Sequence, residues 1–417
     1  MRGFAAILTI IIVFSAIKND IAFTQDSEYW FSVTNSAYIT WLRQHSIYGL
    51  IVGMLLIGLY ISVNRLVSHQ FGLVSVLICS YMAIAILIST FVDGFIAIKI
   101  ISSFAVYLSV SLLTASAVGQ VGHEAVLRQF ILAFVGAGAI ISGLNALEMI
   151  LGQGFGQDNP RFFGTASHPN ILGMQFTIFA FCTLSVIADR HFANWRRAAA
   201  VILLCLMLVI LKQTGSRTAF VFLASAVFFS LWLRARLPWL LAFALIAAAA
   251  VVAVSFISLL DFSGFGEMFD RADTTDTRSQ AWGMLYDLIC NSPWVGNVVV
   301  ITATENSFLR AWALYGVLYF VLFTAAVVAI VMKTMGGCVY RSVPSLTCAG
   351  LMGGLFCSSM LEGYLADAVS VPVLTFFVIA ATSQYSHRTN AIHAGAVSRS
   401  RNVTRPRLSA PLAGLSK

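Results

Sequence analysis

Three arginines occur in short polar stretches of a chain that is otherwise mostly apolar: Arg161 in 161-RFFGTASHPNILG-173, Arg217 in 215-GSRT-218 and Arg278 in 277-TRSQAW-282. A guanidinium is planar and permanently charged, so it binds phosphate or carboxylate through two parallel hydrogen bonds, whereas lysine offers a point charge. Three such cations at one site would neutralise a diphosphate and stabilise the charge that develops as it leaves. Taken singly, each is also readable as an interfacial arginine that extends to lipid headgroups.

The elements that must position these residues are membrane helices. Hydrophobic residues make up 59% of the 417 positions and charged residues only 10%, where a soluble domain has about 25% charged residues. A spanning helix needs about 20 largely apolar residues. The polar interruptions therefore predict an all-α polytopic membrane protein of about twelve spans: 3–17, 46–63, 71–91, 94–118, 129–150, 171–188, 199–213, 218–233, 239–260, 306–332, 343–360 and 368–384.

Lysine and arginine positions predict the orientation of these spans. With the N-terminus in the cytoplasm, most of them fall in cytoplasmic connections, as the positive-inside rule requires. Both termini are then cytoplasmic, and the segments 151–170, 212–217 and 261–305 lie outside. The three arginine-bearing stretches share the outer face in this topology, and a large outer loop separates spans nine and ten.

The chain divides into a membrane domain, 1–384, and a basic tail, 385–417, which we predict to be disordered in the cytoplasm. The net charge of +8 follows from this tail and from the cytoplasmic connections. It predicts contact with membrane lipids and no nucleic-acid partner. Seven cysteines are scattered without paired spacing, so neither a disulfide framework nor a metal site is predicted.

The order and spacing of the polar elements resemble the O-antigen ligase and O-antigen polymerase superfamily of bacterial envelope glycosyltransferases. The resemblance covers about residues 130–335, including the outer loop 261–305. Its elements, in chain order, are Arg161-x-x-Gly164-x-x-x-His168-Pro169-Asn170-x-Leu172-Gly173, Gly215-Ser216-Arg217-Thr218, Arg278 with Trp282, 293-PWVGN-297 and 305-ENSFLRAWALYG-316.

The resemblance implies an enzyme of the bacterial inner membrane with its active site on the periplasmic face. Such enzymes transfer a glycan from a polyprenyl diphosphate to a sugar hydroxyl of a glycan acceptor, with no nucleotide, metal or other cofactor. By this resemblance Arg161, Arg217 and Arg278 bind the diphosphate. The reaction is then a single displacement that inverts the configuration of the donor carbon. We also expect a chain-length regulator and export proteins as partners. Further substrate contacts are assigned to four side chains: Asn170, Ser216, Trp282 and Asn306.

Glu305 marks a departure from the family pattern. Ligases of the superfamily typically carry a histidine, regarded as catalytic, before the asparagine that is Asn306 here. A glutamate expected ahead of Gly316 is also missing. We assign Glu305 the role of base, because a carboxylate can take the proton of an acceptor hydroxyl. The structural alternative is that Glu305 pairs with one of the outer arginines and holds the loop in place. These departures favour a polymerase of exopolysaccharide or O-antigen repeat units over a ligase acting on lipid A core.

Several of these residues have a structural alternative. The His168-Pro169-Asn170 element predicts a capped helix start, and His168 alternatively contacts phosphate or assists proton transfer. Ser216-Arg217-Thr218 is either a plain helix N-terminus or an anion site. Residues 278–289 predict an amphipathic helix ended by Pro293. Its Trp282 either stacks on a sugar or anchors at the interface.

A transporter, such as a flippase for lipid-linked glycans, is the alternative of a different class. Transporters commonly have repeated halves and ionisable residues near the bilayer midplane. The sequence has no convincing repeat between 1–200 and 201–417, and its polar residues concentrate in the outer segments. This pattern favours an enzyme. Arg43, in the first outer connection, belongs to none of the motifs, and we expect lysine to be tolerated there.

Overall fold

The structure, a computed structural model, describes residues 2–17, 33, 35–64, 72–92, 94–156, 161–166, 168–235, 277–298, 306–337, 342–366 and 369–385. Within these ranges the fold is all-α, with two isolated β-bridges and no strand. The helices are α1 (Arg2–Ile17), α2 (Ala37–Asn64), α3 (Leu73–Val92), α4 (Gly94–Val121), α5 (His123–Ile150), α6 (Pro169–Ala188), α7 (Asn194–Thr214), α8 (Arg217–Ala235), α9 (Thr277–Asn291), α10 (Ser307–Gly337), α11 (Val343–Ser359) and α12 (Val371–Ser383), with a 3₁₀ turn at Tyr364–Ala366.

Eight of these helices, α2 to α8 and α10, are long and apolar enough to cross a membrane, and α1, α11 and α12 are shorter apolar helices. The prediction of an all-α polytopic membrane protein is confirmed. Eleven of the predicted spans coincide with these helices. The predicted span 239–260 and residues 386–417 of the predicted tail lie outside the described residues, so twelve spans and a disordered tail stay predictions.

Helices α6 and α12 lie at the centre of the bundle. Every residue of α12 is buried, and α6 is the most deeply buried of the long helices. Around them α5, α7 and α8 pack against α6, and α4, α10 and α11 pack against α12. The outer helices carry large apolar side chains into the surroundings, among them Leu55, Phe91 and Ile202. In lipid such exposure costs nothing, because lipid tails are as apolar as these side chains.

Three helices begin with the same local device, in which a side chain caps the first turn and a proline follows. Ser342 and Ser370 accept hydrogen bonds from the backbone amides three residues later, at the starts of α11 and α12. At the start of α6, His168 is the cap and Pro169 the first helical residue. Proline suits this position because its missing N–H would be unpaired in the first turn anyway. The predicted capped start of α6 is confirmed.

Helix α10 is broken at Gly316, whose backbone angles are φ 77° and ψ 179°. The segment after α9 fills the break: the Asn297 amide donates to the Ala313 carbonyl (2.9 Å), and the Val317 amide donates to the Pro293 carbonyl (3.0 Å). Backbone groups released by a break in a membrane helix need partners of this kind. The break therefore ties α9 to the first part of α10.

Candidate functional site

One residue joins the beginnings of three helices through its carboxylate and its main-chain carbonyl. Glu362, between α11 and the 3₁₀ turn, accepts hydrogen bonds at Oε1 from Nδ2 of Asn170 (3.0 Å) and from Oγ1 of Thr218 (2.9 Å). Its main-chain carbonyl accepts a third bond from Oγ of Ser307 (2.7 Å). These donors lie in the first turns of α6, α8 and α10. Helix N-termini carry partial positive charge, so their convergence favours an anion at this end of the bundle.

Arg161 is attached to this cluster through Asn170. Its Nη2 donates to Oδ1 of Asn170 (2.6 Å), and its Nε donates to the Thr214 carbonyl at the end of α7 (2.7 Å). Two bonds to well-placed acceptors on different helices fix the plane of the guanidinium. The structure thus places Arg161, Asn170 and Glu362 in one hydrogen-bonded chain.

The turn between α7 and α8 places the second motif beside the first. Gly215 ends α7 in the left-handed conformation (φ 58°), which a glycine adopts without strain. Ser216 is buried, and its Oγ accepts from the Ala219 amide (3.3 Å) as the cap of α8. Arg217 is the exposed first residue of that helix. The predicted helix N-terminus is confirmed, and it carries a cation one residue from Thr218.

The start of α10 brings the third motif to the same cluster. Oδ1 of Asn306 accepts from the amides of Phe308 (3.0 Å) and Leu309 (3.2 Å), and Asn306 has a positive φ of 67°. Asparagine is one of the few residues that tolerate this conformation. Ser307 then links α10 to Glu362, as described above, and also accepts from the Leu365 amide (3.2 Å).

The loop that carries Arg161 is held by Arg43 of α2. Nη2 of Arg43 donates to the carbonyls of Gly164 (2.8 Å) and Ala166 (2.6 Å), and its Nε donates to the Thr165 carbonyl (3.3 Å). One side chain thus gathers three successive carbonyls. A lysine would present no planar fork to them, so we expect lysine to be poorly tolerated at Arg43, contrary to the expectation from sequence.

A buried amide holds the same loop from α5. Asn145 donates to Oγ1 of Thr165 (2.9 Å) and accepts from the Thr165 amide (2.9 Å). The two Asn145 bonds make the loop part of the packed bundle. Closer to the end of α5, the buried Glu148 accepts from the hydroxyl and the amide of Ser36, just before α2.

His168 is a neutral cap at pH 7. Its Nδ1 accepts a hydrogen bond from the Asn170 amide (3.1 Å). Burial, with the Arg161 guanidinium nearby, lowers the pKa of His168 to about 4. Because the unperturbed pKa is about 6.5, protonation would oppose the folded cap as the pH falls from about 6.5 toward 4. His168 therefore supports Asn170 by geometry rather than by charge.

The remaining candidates are placed less completely. The helix predicted at 278–289 is present as α9, with Ala281, Leu285 and Ile289 buried on one face, whereas Trp282, predicted on that face, is 39% exposed. Arg278 lies in the first turn of α9, but its side chain is outside the part that the structure describes. Glu305 also falls outside the described residues. The structure therefore brings together Arg161, His168, Asn170, Ser216, Arg217 and Asn306.

Sequence reasoning missed Glu362. It stands in 361-LEGYLAD-367, the short connection between the last two predicted spans. The predicted topology places that connection on the same outer face as the arginines, so an acidic residue there was a usable signal. Among the described residues, no group of three His, Cys, Asp or Glu side chains could hold a metal ion.

Comparison with models of known protein families finds no match for the chain, and comparison with curated proteins finds none either.

Replacing Gly164 should destabilise the folded protein. Gly164 has a positive φ of 51°, and a Cβ there would overlap Oδ1 of Asn145. We expect Gly164→Ala to lower the free energy of unfolding by about 2 kcal/mol or more, because it strains the backbone and displaces a buried hydrogen bond. Thermal unfolding of the purified protein in detergent measures this.

Gly143→Ala is the matched control. Gly143 is exposed on α5, and a Cβ there meets open space. The melting temperature of the Gly143→Ala variant should stay close to that of the wild type, since substitutions at exposed positions usually change stability by less than about 0.5 kcal/mol. Equal melting temperatures for the two variants would mean that the loop is not held as described.

Proposed function

We propose that this protein polymerises oligosaccharide repeat units carried on polyprenyl diphosphate, by glycosyl transfer at the outer face of the bacterial cytoplasmic membrane. The observation that supports this most is the arrangement of Arg161 and Arg217. Both stand at one end of an apolar bundle, at the converging N-termini of α6 and α8. Fixed cations and helix N-termini in such a place suit a diphosphate whose lipid tail lies in the membrane.

The reaction requires a nucleophile, a leaving group and a base. The oxygen of an acceptor hydroxyl attacks the anomeric carbon of the donor, and the bond from that carbon to the diphosphate oxygen breaks. The polyprenyl diphosphate leaves with the bonding electrons, and the anomeric configuration is inverted. The hydroxyl proton passes to a base, a role that we assign to Glu305.

Each residue then has a role that follows from its chemistry. Arg161, Arg217 and Arg278 neutralise the diphosphate as its charge develops, which needs no metal ion. Asn170 holds the Arg161 guanidinium, Ser216 caps the helix that Arg217 begins, and His168 caps the helix that carries Asn170. Trp282 and Asn306 would contact the sugars near the start of α10.

The proposed orientation predicts different reactivity at the two ends of α7. Lys212 and Asn194 are both exposed, near the last and at the first residue of this helix. A cysteine at Lys212 should react with a membrane-impermeant maleimide in spheroplasts, while one at Asn194 should react only after lysis. The two exposed native cysteines of the described part of the chain, Cys205 and Cys290, are replaced by serine to remove background labelling. Labelling of Asn194→Cys in intact spheroplasts would show that the orientation in the membrane is the reverse of the one proposed.

A deletion strain tests the function itself. Loss of long polysaccharide with single repeat units retained on their acceptor is the expected result. Polymer left on its lipid carrier would instead indicate a ligase that transfers finished glycan to lipid A core. Accumulation of lipid-linked repeat units on the cytoplasmic side would indicate a flippase. An unchanged polysaccharide profile would contradict all three.

A further inference from the structure

We propose that Glu362 is a positioning residue for glycosyl transfer, which orients Asn170 so that Asn170 holds the Arg161 guanidinium toward the diphosphate. This inference rests on the function proposed above and adds a residue that lies outside the motif elements. It concerns three side chains from three separated parts of the chain, linked by bonds of 2.6 and 3.0 Å.

The orientation of the Asn170 amide is determined from both sides. An ionised carboxylate only accepts hydrogen bonds, and a guanidinium only donates them. Nδ2 of Asn170 faces Oε1 of Glu362, and Oδ1 faces Nη2 of Arg161. Turning the amide over would set donor against donor and acceptor against acceptor. Glu362 therefore selects the one amide orientation that presents an acceptor to Arg161.

Glu362 is itself held in place. Thr218 donates to the same Oε1, and Ser307 binds the main-chain carbonyl of Glu362. Because Ser307 is the first residue of α10, the same anchor fixes the start of α10 relative to Arg161. Arg161 and the start of α10 are thus both tied to Glu362.

This geometry describes a positioning residue and assigns no proton transfer to Glu362. Its Oε1 already accepts from two donors, and a hydrogen-bonded path runs from it through Asn170 to Arg161. A cation that is fixed before the reaction needs no reorganisation when charge develops on the leaving group. Loss of the alignment should therefore lower the turnover of folded enzyme.

A swap of donor and acceptor tests the inference. Asn170→Asp places a second carboxylate against Glu362, and like charges at hydrogen-bond distance disrupt the link. We expect at least about a tenfold loss of transfer per folded molecule, equivalent to about 1.4 kcal/mol. Glu362→Gln alone keeps an acceptor oxygen for Asn170. Its transfer rate should therefore fall by no more than about threefold, which corresponds to less than about 1.4 kcal/mol.

The double variant Asn170→Asp/Glu362→Gln restores the link with reversed polarity. The amide of Gln at 362 then donates to Asp at 170, which still accepts from Arg161, and the Thr218 hydroxyl can accept as well as donate. Transfer should return to within about threefold of the wild type, a residual cost of under 1 kcal/mol. Such rescue is a non-additive effect of two residues in contact.

The measurement uses the full-length protein in nanodiscs and a polyprenyl-diphosphate-linked oligosaccharide from the deletion strain. Rates are expressed per folded molecule, with folded protein quantified by size-exclusion chromatography and thermal unfolding. Asn194→Asp, at the exposed start of α7, is the matched control and should keep wild-type activity. A merely structural role would lower the folded fraction of Asn170→Asp and leave the rate per folded molecule unchanged.

The outcomes separate this inference from the proposed function. If the wild type transfers glycan and the double variant is as impaired as Asn170→Asp, the positioning role is wrong and the function stands. An active, unimpaired Asn170→Asp would also overturn the positioning role. If the wild type itself elongates no lipid-linked glycan, the proposed function fails, and the inference fails with it.

Discussion

Glu305→Gln should reduce glycosyl transfer by roughly 10²- to 10⁴-fold, the range typical of a lost general base. An acceptor hydroxyl is a poor nucleophile until its proton can be taken, and glutamine keeps the size of the side chain while removing its basicity. Glu305 directly precedes Asn306, which caps α10 beside the Glu362 cluster. Transfer is measured per folded molecule with a lipid-linked oligosaccharide donor.

Glu267→Gln is the control for this prediction, because it makes the same change in the same predicted outer loop. It should transfer normally. Binding of undecaprenyl diphosphate should be retained by Glu305→Gln, since the arginines are untouched, and Glu305→His should recover part of the activity. Near-normal transfer by Glu305→Gln would show that Glu305 is not the base.

Arg217→Lys should lower transfer by about tenfold or more, equivalent to at least about 1.4 kcal/mol of transition-state stabilisation. Lysine keeps the charge but loses the planar fork that binds two phosphate oxygens at once. Arg217 is exposed at the first residue of α8, so the substitution should leave the melting temperature unchanged. Transfer rates and melting temperatures of the purified variants are compared.

Arg234→Lys is the matched control. Arg234 is exposed in the last turn of the same helix, and the proposed topology places it on the opposite side of the membrane. It should transfer at the wild-type rate. Arg43 cannot serve as a control, since it holds the carbonyls of Gly164, Thr165 and Ala166. If Arg217→Lys and Arg234→Lys transfer at the same rate, Arg217 does not bind diphosphate and only contacts lipid headgroups.

The helices could be predicted from the sequence because membrane spans are long apolar runs with polar ends. Apolar length alone located eleven helices of the described part of the chain, eight of which are long enough to cross a membrane. Local chemistry located the start of α6 as well, since His168, Pro169 and Asn170 are cap and first-turn residues whatever surrounds them.

The hydrogen-bonded chain of the site could not be predicted in this way. Asn170 and Glu362 are 192 positions apart, and no periodicity relates residues on different helices. The role of Arg43 was also hidden, because its partners are backbone carbonyls that carry no sequence signal. Both contacts depend on how α2, α6 and α11 pack, which apolar patterns leave open.

Reconstitution is the most direct test of the central claim that this protein joins lipid-linked repeat units. The purified chain in liposomes, supplied only with polyprenyl-diphosphate-linked repeat units, should produce a ladder of longer lipid-linked glycans and release one polyprenyl diphosphate for each glycosidic bond formed. No nucleotide should be required. Glycans that stay at one repeat unit, with no diphosphate released, while the protein is folded and correctly oriented, would contradict the account.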